Sequence, residues 1–244
     1  MHHIPFLVMA SLLSIGWAGG DKKWSYDKTG PKYWGLLKET FSACSEGRAQ
    51  SPVNLTGAVN AQLPSLGFDY KPSPLEVEHK GHTIQVNIQP GSFLEIDDER
   101  FQLLQFHYHT LSEHTVDGQH FPMELHLVHA NEAGELAVVG ILMAIGKPNV
   151  LIDTLWHQLP GHPEITIKSP IFINPADLLP GERSYYRYDG SLTTPPCSEG
   201  VRWHVLTQPI GVSQAQVELF HTIIGPSARP VQPLNDRTIQ VSGD

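Results

Sequence analysis

Gln105-Phe106-His107-Tyr108-His109, answered downstream by Glu124-Leu125-His126, decides how this chain is read. Side chains on a strand alternate faces, so His107 and His109 point the same way. Asp117-Gly118 between the two stretches is a hairpin-type turn signal. A hairpin centred there sets His109 opposite His126, with Cβ atoms about 4.5–5.5 Å apart for a directly opposed pair. His107 becomes the diagonal neighbour on the same face. Three imidazoles converging from two antiparallel strands leave one corner of a tetrahedron open, which is the pattern of a catalytic zinc rather than a structural one. Gln105 shares the face of His107, and Glu124 that of His126. Each can accept from the second ring nitrogen of its neighbour and so fix tautomer and orientation. A zinc so held lowers the pKa of its bound water to about 7 and makes a hydroxide nucleophile at neutral pH. Ser191-Leu192-Thr193-Thr194-Pro195-Pro196 offers hydroxyls on a rigid loop to aim that nucleophile, and Glu113 can accept from one of them. Two strand histidines alone are also what packed core histidines look like; the third in register, with Glu124 beside it, favours the metal.

The 244 residues carry a net charge of −9 and no Lys/Arg cluster, which excludes nucleic acid and anionic membrane surfaces as natural partners. Forty per cent hydrophobic residues fill a sizeable core, and 14 histidines favour metal or proton chemistry. Ile4 to Ala18 is an apolar run with small residues ahead of Asp21. It is shorter than the roughly 20 residues of a bilayer span and reads as a secretory signal cleaved near Ala18/Gly19. The mature domain is then 19–244, with no membrane span after processing and a secreted or periplasmic location. Two cysteines, Cys44 and Cys197, suit a disulfide in such a compartment. That bond would close a loop of about 150 residues and contribute about 4–5 kcal/mol on the chain-entropy model.

Tyr33 to Phe41 has helical spacing for about two turns. From Leu75 the chain is strand-rich: Leu75–His79, Thr83–Gln89, Ser92–Ile96, the two histidine stretches, Leu136–Ile145 and Val201–Leu206. Val150–Leu159 is a short amphipathic helix ended by Pro160-Gly161. Ser213 to Ile224 is the clearest helix, capped by Ser213, with Val217, Phe220, Ile223 and Ile224 as its buried stripe. The expected fold is α+β and sheet-dominated: one domain around a large, mainly antiparallel twisted β-sheet with short peripheral helices.

The quoted stretches resemble the α-class carbonic anhydrases, and in particular their secreted bacterial members. Further matches are Gln50-Ser51-Pro52-Val53-Asn54, Lys80-Gly81-His82, Ser112-Glu113-His114-Thr115, Glu124-Leu125-His126-Leu127-Val128-His129, Gly190-Ser191-Leu192-Thr193-Thr194-Pro195-Pro196 and Arg229-Pro230-Val231-Gln232-Pro233-Leu234. They run in order from Trp24 to about Arg237. The resemblance implies reversible hydration of carbon dioxide to bicarbonate and a proton, with one Zn2+ on His107, His109 and His126. It implies that Thr193 accepts from the zinc hydroxide and donates to Glu113, and that Thr194 lies by the bicarbonate site. It implies a substrate wall of Val128, Val138, Leu192, Val201 and Trp203; carbon dioxide lacks a dipole, so a dry apolar wall suits it. His82 matches the proton shuttle, with Tyr26 and Gln85 at positions that hold its ordered water. Cys44 and Cys197 match a disulfide bracing the Thr193 loop, and Ser51-Pro52 and Pro195-Pro196 match cis peptide bonds. Sulfonamide and small-anion inhibitors are implied, as is a possible homodimer. Departures are Gln85 and Lys80, where polar amides such as Asn are common, and Thr110, where many animal members have Trp. Two rivals stay open on the sequence. His107-x-His109 with Glu113 fits the first motif of cupins, whose metals are often iron or manganese, although no second cupin motif follows. A non-catalytic binding module of the same fold is the other, although such domains usually lack one of the three histidines.

Overall fold

The computed structural model describes residues 23–243. The apolar run Ile4–Ala18 and its expected cleavage site lie outside the described residues. A 12-stranded sheet organises the chain. Across it run Thr166–Ile173, Ser73–His79, Ile84–Asn87, Glu99–His109, Met123–Ala130, Leu136–Ile145, Glu199–Val212, Tyr185–Ser191, Gln240–Ser242 and Val59–Ala61, with Gly67–Asp69 and Phe93–Ile96 pairing off this path. The sheet is mixed rather than purely antiparallel. Leu136–Ile145 lies parallel to Glu199–Val212 at its centre, and Gln240–Ser242 parallel to Val59–Ala61 at one end. Leu136–Ile145 is apolar throughout because both its faces are covered: Val139, Ile141 and Met143 enter one buried cluster, Val138 and Leu142 the other.

The histidine strand changes phase part-way. Its register with Met123–Ala130 passes from Gln105 opposite Val128 to Leu103 opposite His129, leaving Leu104 unpaired. This bulge flips the side-chain parity. Phe101 and Leu103 before it and Phe106 and Tyr108 after it all face the same core. Gln105, His107 and His109 are thereby sent to the opposite face. On the core side, Tyr108 meets Trp156 and Phe220 edge-on, with ring centroids 5.1 and 6.1 Å away. Those two rings belong to the helices Val150–Trp156 and Gln214–Ile224, which cover this face.

The histidine register differs from the sequence expectation by two residues. His126 opposes His107, and His109 opposes Glu124. The turn itself is where the sequence puts it: Asp117 and Gly118 have φ of 47° and 79°, the positive pair of a type I′ turn. That turn, however, closes Thr115–Val116 against Gln119–His120, a hairpin that joins Asn54–Leu55 in a separate small sheet. The long strands start beyond it and set their own register. A two-residue slip keeps every side chain on its face, so the three histidines still converge.

Ser213 caps its helix in a reciprocal box with Gln216. The buried stripe is narrower than expected: Phe220 is fully buried and Val217 partly, but Ile223 is exposed, and Gln216 turns inward to hold Asn149 and Asp153. Tyr33–Phe41 is not one helix but a 3₁₀ turn, a short α-helix at Trp34–Leu37 and a second 3₁₀ turn. Several strands go unsignalled in the sequence, two of them long. Thr166–Ile173 is a largely exposed edge broken by Pro170, and Tyr185–Ser191 is mostly polar and aromatic. Cys44 and Cys197 form a disulfide spanning 153 residues. Ser51-Pro52 and Pro195-Pro196 are cis, as is Thr110-Leu111. Among the described residues no helix is long and apolar enough to cross a membrane.

Candidate active site

The three histidines meet on the sheet face opposite the two helices. Their ring centroids lie 4.6–5.3 Å apart, and one ring nitrogen from each falls within 4.8 Å of the others. The other nitrogen of every ring is engaged. His107 Nδ1 donates to Gln105 Oε1 at 2.9 Å, His109 Nδ1 to the Ser227 carbonyl at 2.6 Å, and His126 Nε2 to Glu124 Oε1 at 2.9 Å. Those oxygens accept only, so the ring protons sit there and the bare nitrogens turn toward one another. Burial holds the histidines in the neutral, ligand-ready form. It lowers His109 to about 4, His107 well below the ordinary imidazole range, and His126 in spite of Glu124. His109 Nε2 is buried without a hydrogen-bond partner, and so is Glu113 Oε2, 3.5 Å away. A cation among the three nitrogens would satisfy the first and attract the second. Three neutral imidazoles fit a divalent transition metal such as zinc.

Glu124 organises the ligands from behind. Its carboxylate accepts from the backbone N–H of Glu113 and of His114, both at 2.8 Å, from His114 Nδ1 at 2.7 Å and from His126 Nε2. Burial alone would raise its pKa, but its contacts with His114 and His126 prevail and hold it well below the carboxylate range. Gly140 leaves room for it, since a Cβ there would lie 3.0 Å from Glu124 Oε1. Glu113 is fully buried as well, and its Oε1 accepts from the Arg229 N–H at 2.8 Å. Burial lifts its carboxyl to about 7 against the lowering effect of His126, the Arg229 N–H and the Thr193 hydroxyl. A bound cation would add to that lowering.

The cavity in front of the histidines has a volume of about 140 Å³. Its polar side carries His82, Gln85, Gln105, Thr193 and Thr194, and its apolar side Val128, Val138, Leu192 and Trp203. Val201 stands behind Val138 and Trp203 in their apolar cluster and does not line the cavity. Tyr26 lines an adjoining groove that His82 also borders, and its buried hydroxyl has no partner. Thr193 and Thr194 sit on a loop that several contacts fix. Leu192 N–H donates to the Ser198 carbonyl, Cys197 N–H to the Thr194 carbonyl, Trp203 Nε1 to the Ser191 carbonyl, and Gln50 Nε2 to the Cys197 carbonyl.

The model of the eukaryotic-type carbonic anhydrase family matches residues 29–243, nearly the whole described chain. The chain belongs to the α, or eukaryotic-type, carbonic anhydrase family. A carbonic anhydrase of Pectobacterium carotovorum is 42% identical over 97% of this chain and 98% of its own. A hyperthermostable carbonic anhydrase from a hydrothermal vent chimney superposes with a TM-score of 0.89 at 45% identity, covering 91% of this chain and all of that one. The α-carbonic anhydrase of Thermovibrio ammonificans, solved with sulfanilamide, superposes at 0.87 with 41% identity over 89% and 98% of the two chains. These relatives are carbonic anhydrases, and the chain shares that enzymatic class. The cupin reading is thereby set aside. Sequence reasoning assigned no part to Ser227 or to Arg229, although Arg229 stands in a quoted motif. The guanidinium of Arg229 donates to the Ser51 and Cys44 carbonyls, at 2.7 and 3.0 Å, and its own N–H steadies Glu113.

Proposed function

We propose that this chain hydrates carbon dioxide reversibly to bicarbonate and a proton, with zinc held by His107, His109 and His126. The observation that carries this is the orphaned His109 Nε2, buried among neutral imidazoles and facing the unpartnered Glu113 Oε2. Zinc bound there supplies Lewis acidity and brings the pKa of a coordinated water near 7. The protein's part is orientation, exclusion of water and proton removal. Thr193 is suited to accept a hydrogen bond from the nucleophile and to donate one to Glu113, which leaves one lone pair of the nucleophile aimed at the substrate. Arg229 N–H and the Glu124 contact to the Glu113 N–H keep that acceptor in place. Val128, Val138, Leu192 and Trp203 line the cavity as an apolar wall suited to carbon dioxide, and Thr194 borders the same cavity, where it would meet bicarbonate. His82 borders both this cavity and the outer groove, so its ring can pass a proton from one to the other. By likeness to the sulfanilamide-bound neighbour, sulfonamides should inhibit. The disulfide supports export to a periplasmic or extracellular space, where such bonds persist.

His109→Ala should lose zinc and activity together. Metal analysis of the purified variant checks this, and a folded variant that keeps a full equivalent of zinc refutes the ligand assignment.

A further inference from the structure

His82 sits at the tip of a tight hairpin that joins Ser73–His79 to Ile84–Asn87, with His79 opposite Ile84. Lys80 N–H donates to the Thr83 carbonyl at 2.9 Å, which leaves Gly81 and His82 to turn the chain. Gly81 has φ of 84°. Glycine reaches that region at no steric cost, but it reaches the others as readily. Gly81 therefore permits this turn without selecting it.

Two side chains select it. On the far side, the Thr83 hydroxyl donates to the carbonyl of Tyr108, the residue between the ligands His107 and His109, at 2.6 Å. On the near side, His79 Nδ1 accepts from Gly81 N–H at 3.0 Å. His79 is itself well anchored. It is buried, its N–H donates to the Ile165 carbonyl at 3.0 Å, and its carbonyl accepts from Glu164 N–H at 2.7 Å. A backbone N–H only donates, so His79 Nδ1 carries a lone pair and the ring proton sits on Nε2. Burial first, then the neighbouring His162, lowers its pKa and keeps the ring neutral. A side chain that accepts from the N–H two residues on is the device by which Asn and Asp set a turn. Imidazole Nδ1 lies as many bonds from its Cα as Asn Oδ1, so His79 makes the same closure with a buried, rigid ring.

We propose that His79 is a positioning residue for the proton relay: by accepting from Gly81 N–H it fixes the peptide that leads into His82 and aims that ring at the cavity. The inference rests on the shuttle reading of His82 above. Without the acceptor, the Lys80–Gly81 peptide is free to rotate, Gly81 leaves its single φ, and the His82 Cα moves with it. His79 does not line the cavity, so the chemistry at the three histidines should not respond. Restoring the enzyme's proton balance follows product release, so it enters kcat and not kcat/KM.

The test compares carbon dioxide hydration in weak buffer by the zinc-loaded wild type, His79→Phe and His79→Asn, with His82→Ala as reference. Phe keeps the ring's bulk and removes the acceptor; Asn keeps an acceptor at the δ position. His79→Phe should lower kcat about tenfold, a part of what loss of the His82 ring costs, with kcat/KM unchanged. Added imidazole should restore its kcat, and His79→Asn should stay close to the wild type. In a His82→Ala background His79→Phe should have no further effect. Imidazole ¹H–¹⁵N spectra of the wild type should place the His79 proton on Nε2. An unchanged kcat in His79→Phe, or kcat and kcat/KM falling together, overturns the proposal. So does His79→Asn no better than His79→Phe, an undiminished effect in the His82→Ala background, or a His79 proton on Nδ1. A full kcat in His82→Ala itself would instead fail the shuttle reading, and the proposal would fall with it.

Discussion

His82 is held in surroundings that work against its chemistry. Burial first, then the neighbouring His109 and Lys80, lowers it to about 4, whereas a proton relay works best near the operating pH. Its ring leans on Trp24 with centroids 4.3 Å apart, at the rim of a groove of about 460 Å³ that also takes in Lys80 and Glu164. His82→Ala should lower turnover in weak buffer by on the order of a hundredfold and recover with added imidazole; equal turnover of both proteins without imidazole dismisses the role. At this scale the sequence was most legible where a side chain does the chemistry. His107, His109, His126, Glu113 and Thr193 announce themselves by type and spacing. The Ser227 carbonyl that orients His109 and the Arg229 N–H that holds Glu113 do not, because every residue has a carbonyl and nearly every one an N–H.

Among the elements, the Thr193 loop depends most on distant support. Cys197 joins it to Cys44, and the Arg229 guanidinium reaches the Cys44 carbonyl while its N–H reaches Glu113. One segment thus braces both the loop and the acceptor beneath it. The double variant Cys44→Ser/Cys197→Ser should lose about 2–5 kcal/mol of stability, read by denaturant unfolding; a variant as stable as the wild type contradicts the bracing role. Periodicity located most of the long strands because alternation reports which face is buried. It did not give the histidine register, since alternation cannot tell a pairing from one slipped by two, and the Asp117-Gly118 turn belongs to its own small hairpin. Nor did it mark the bulge at Leu104, which sends the histidines to the cavity face.

Over the whole molecule, one mixed sheet divides two apolar clusters: the larger under the helices, the smaller forming the cavity wall. Apolar runs announce such a sheet, but the parallel joining of Leu136–Ile145 to Glu199–Val212 leaves no mark in either strand. Away from the cavity, His129 and His204 are fully buried and have no part in the proposed chemistry. His129 Nδ1 donates to the Ala137 carbonyl and its Nε2 accepts from the Tyr70 hydroxyl, whereas both nitrogens of His204 lack partners. Tyr185, Arg187, Arg202 and His129 surround His204. Burial, the main cause in each, lowers both imidazoles to about 3. Their folded pKa lies below the unfolded value near 6.5, so the unfolded chain binds more protons between those limits. Stability is full above about 6.5 and falls as the pH drops toward 3, by about 1.4 kcal/mol per pH unit for each histidine. His204→Ile should raise stability at neutral pH by about 1–3 kcal/mol and flatten this acid limb; a variant less stable at neutral pH, or with an unchanged limb, contradicts it. The central claim is zinc-dependent carbon dioxide hydration, and stopped-flow hydration with a pH indicator tests it most directly. The purified protein would be assayed as isolated, after chelation and after zinc is restored. The account predicts activity that disappears with chelation and returns with zinc. A folded, zinc-loaded protein without hydration activity would contradict it and bring forward a binding role for the same cavity.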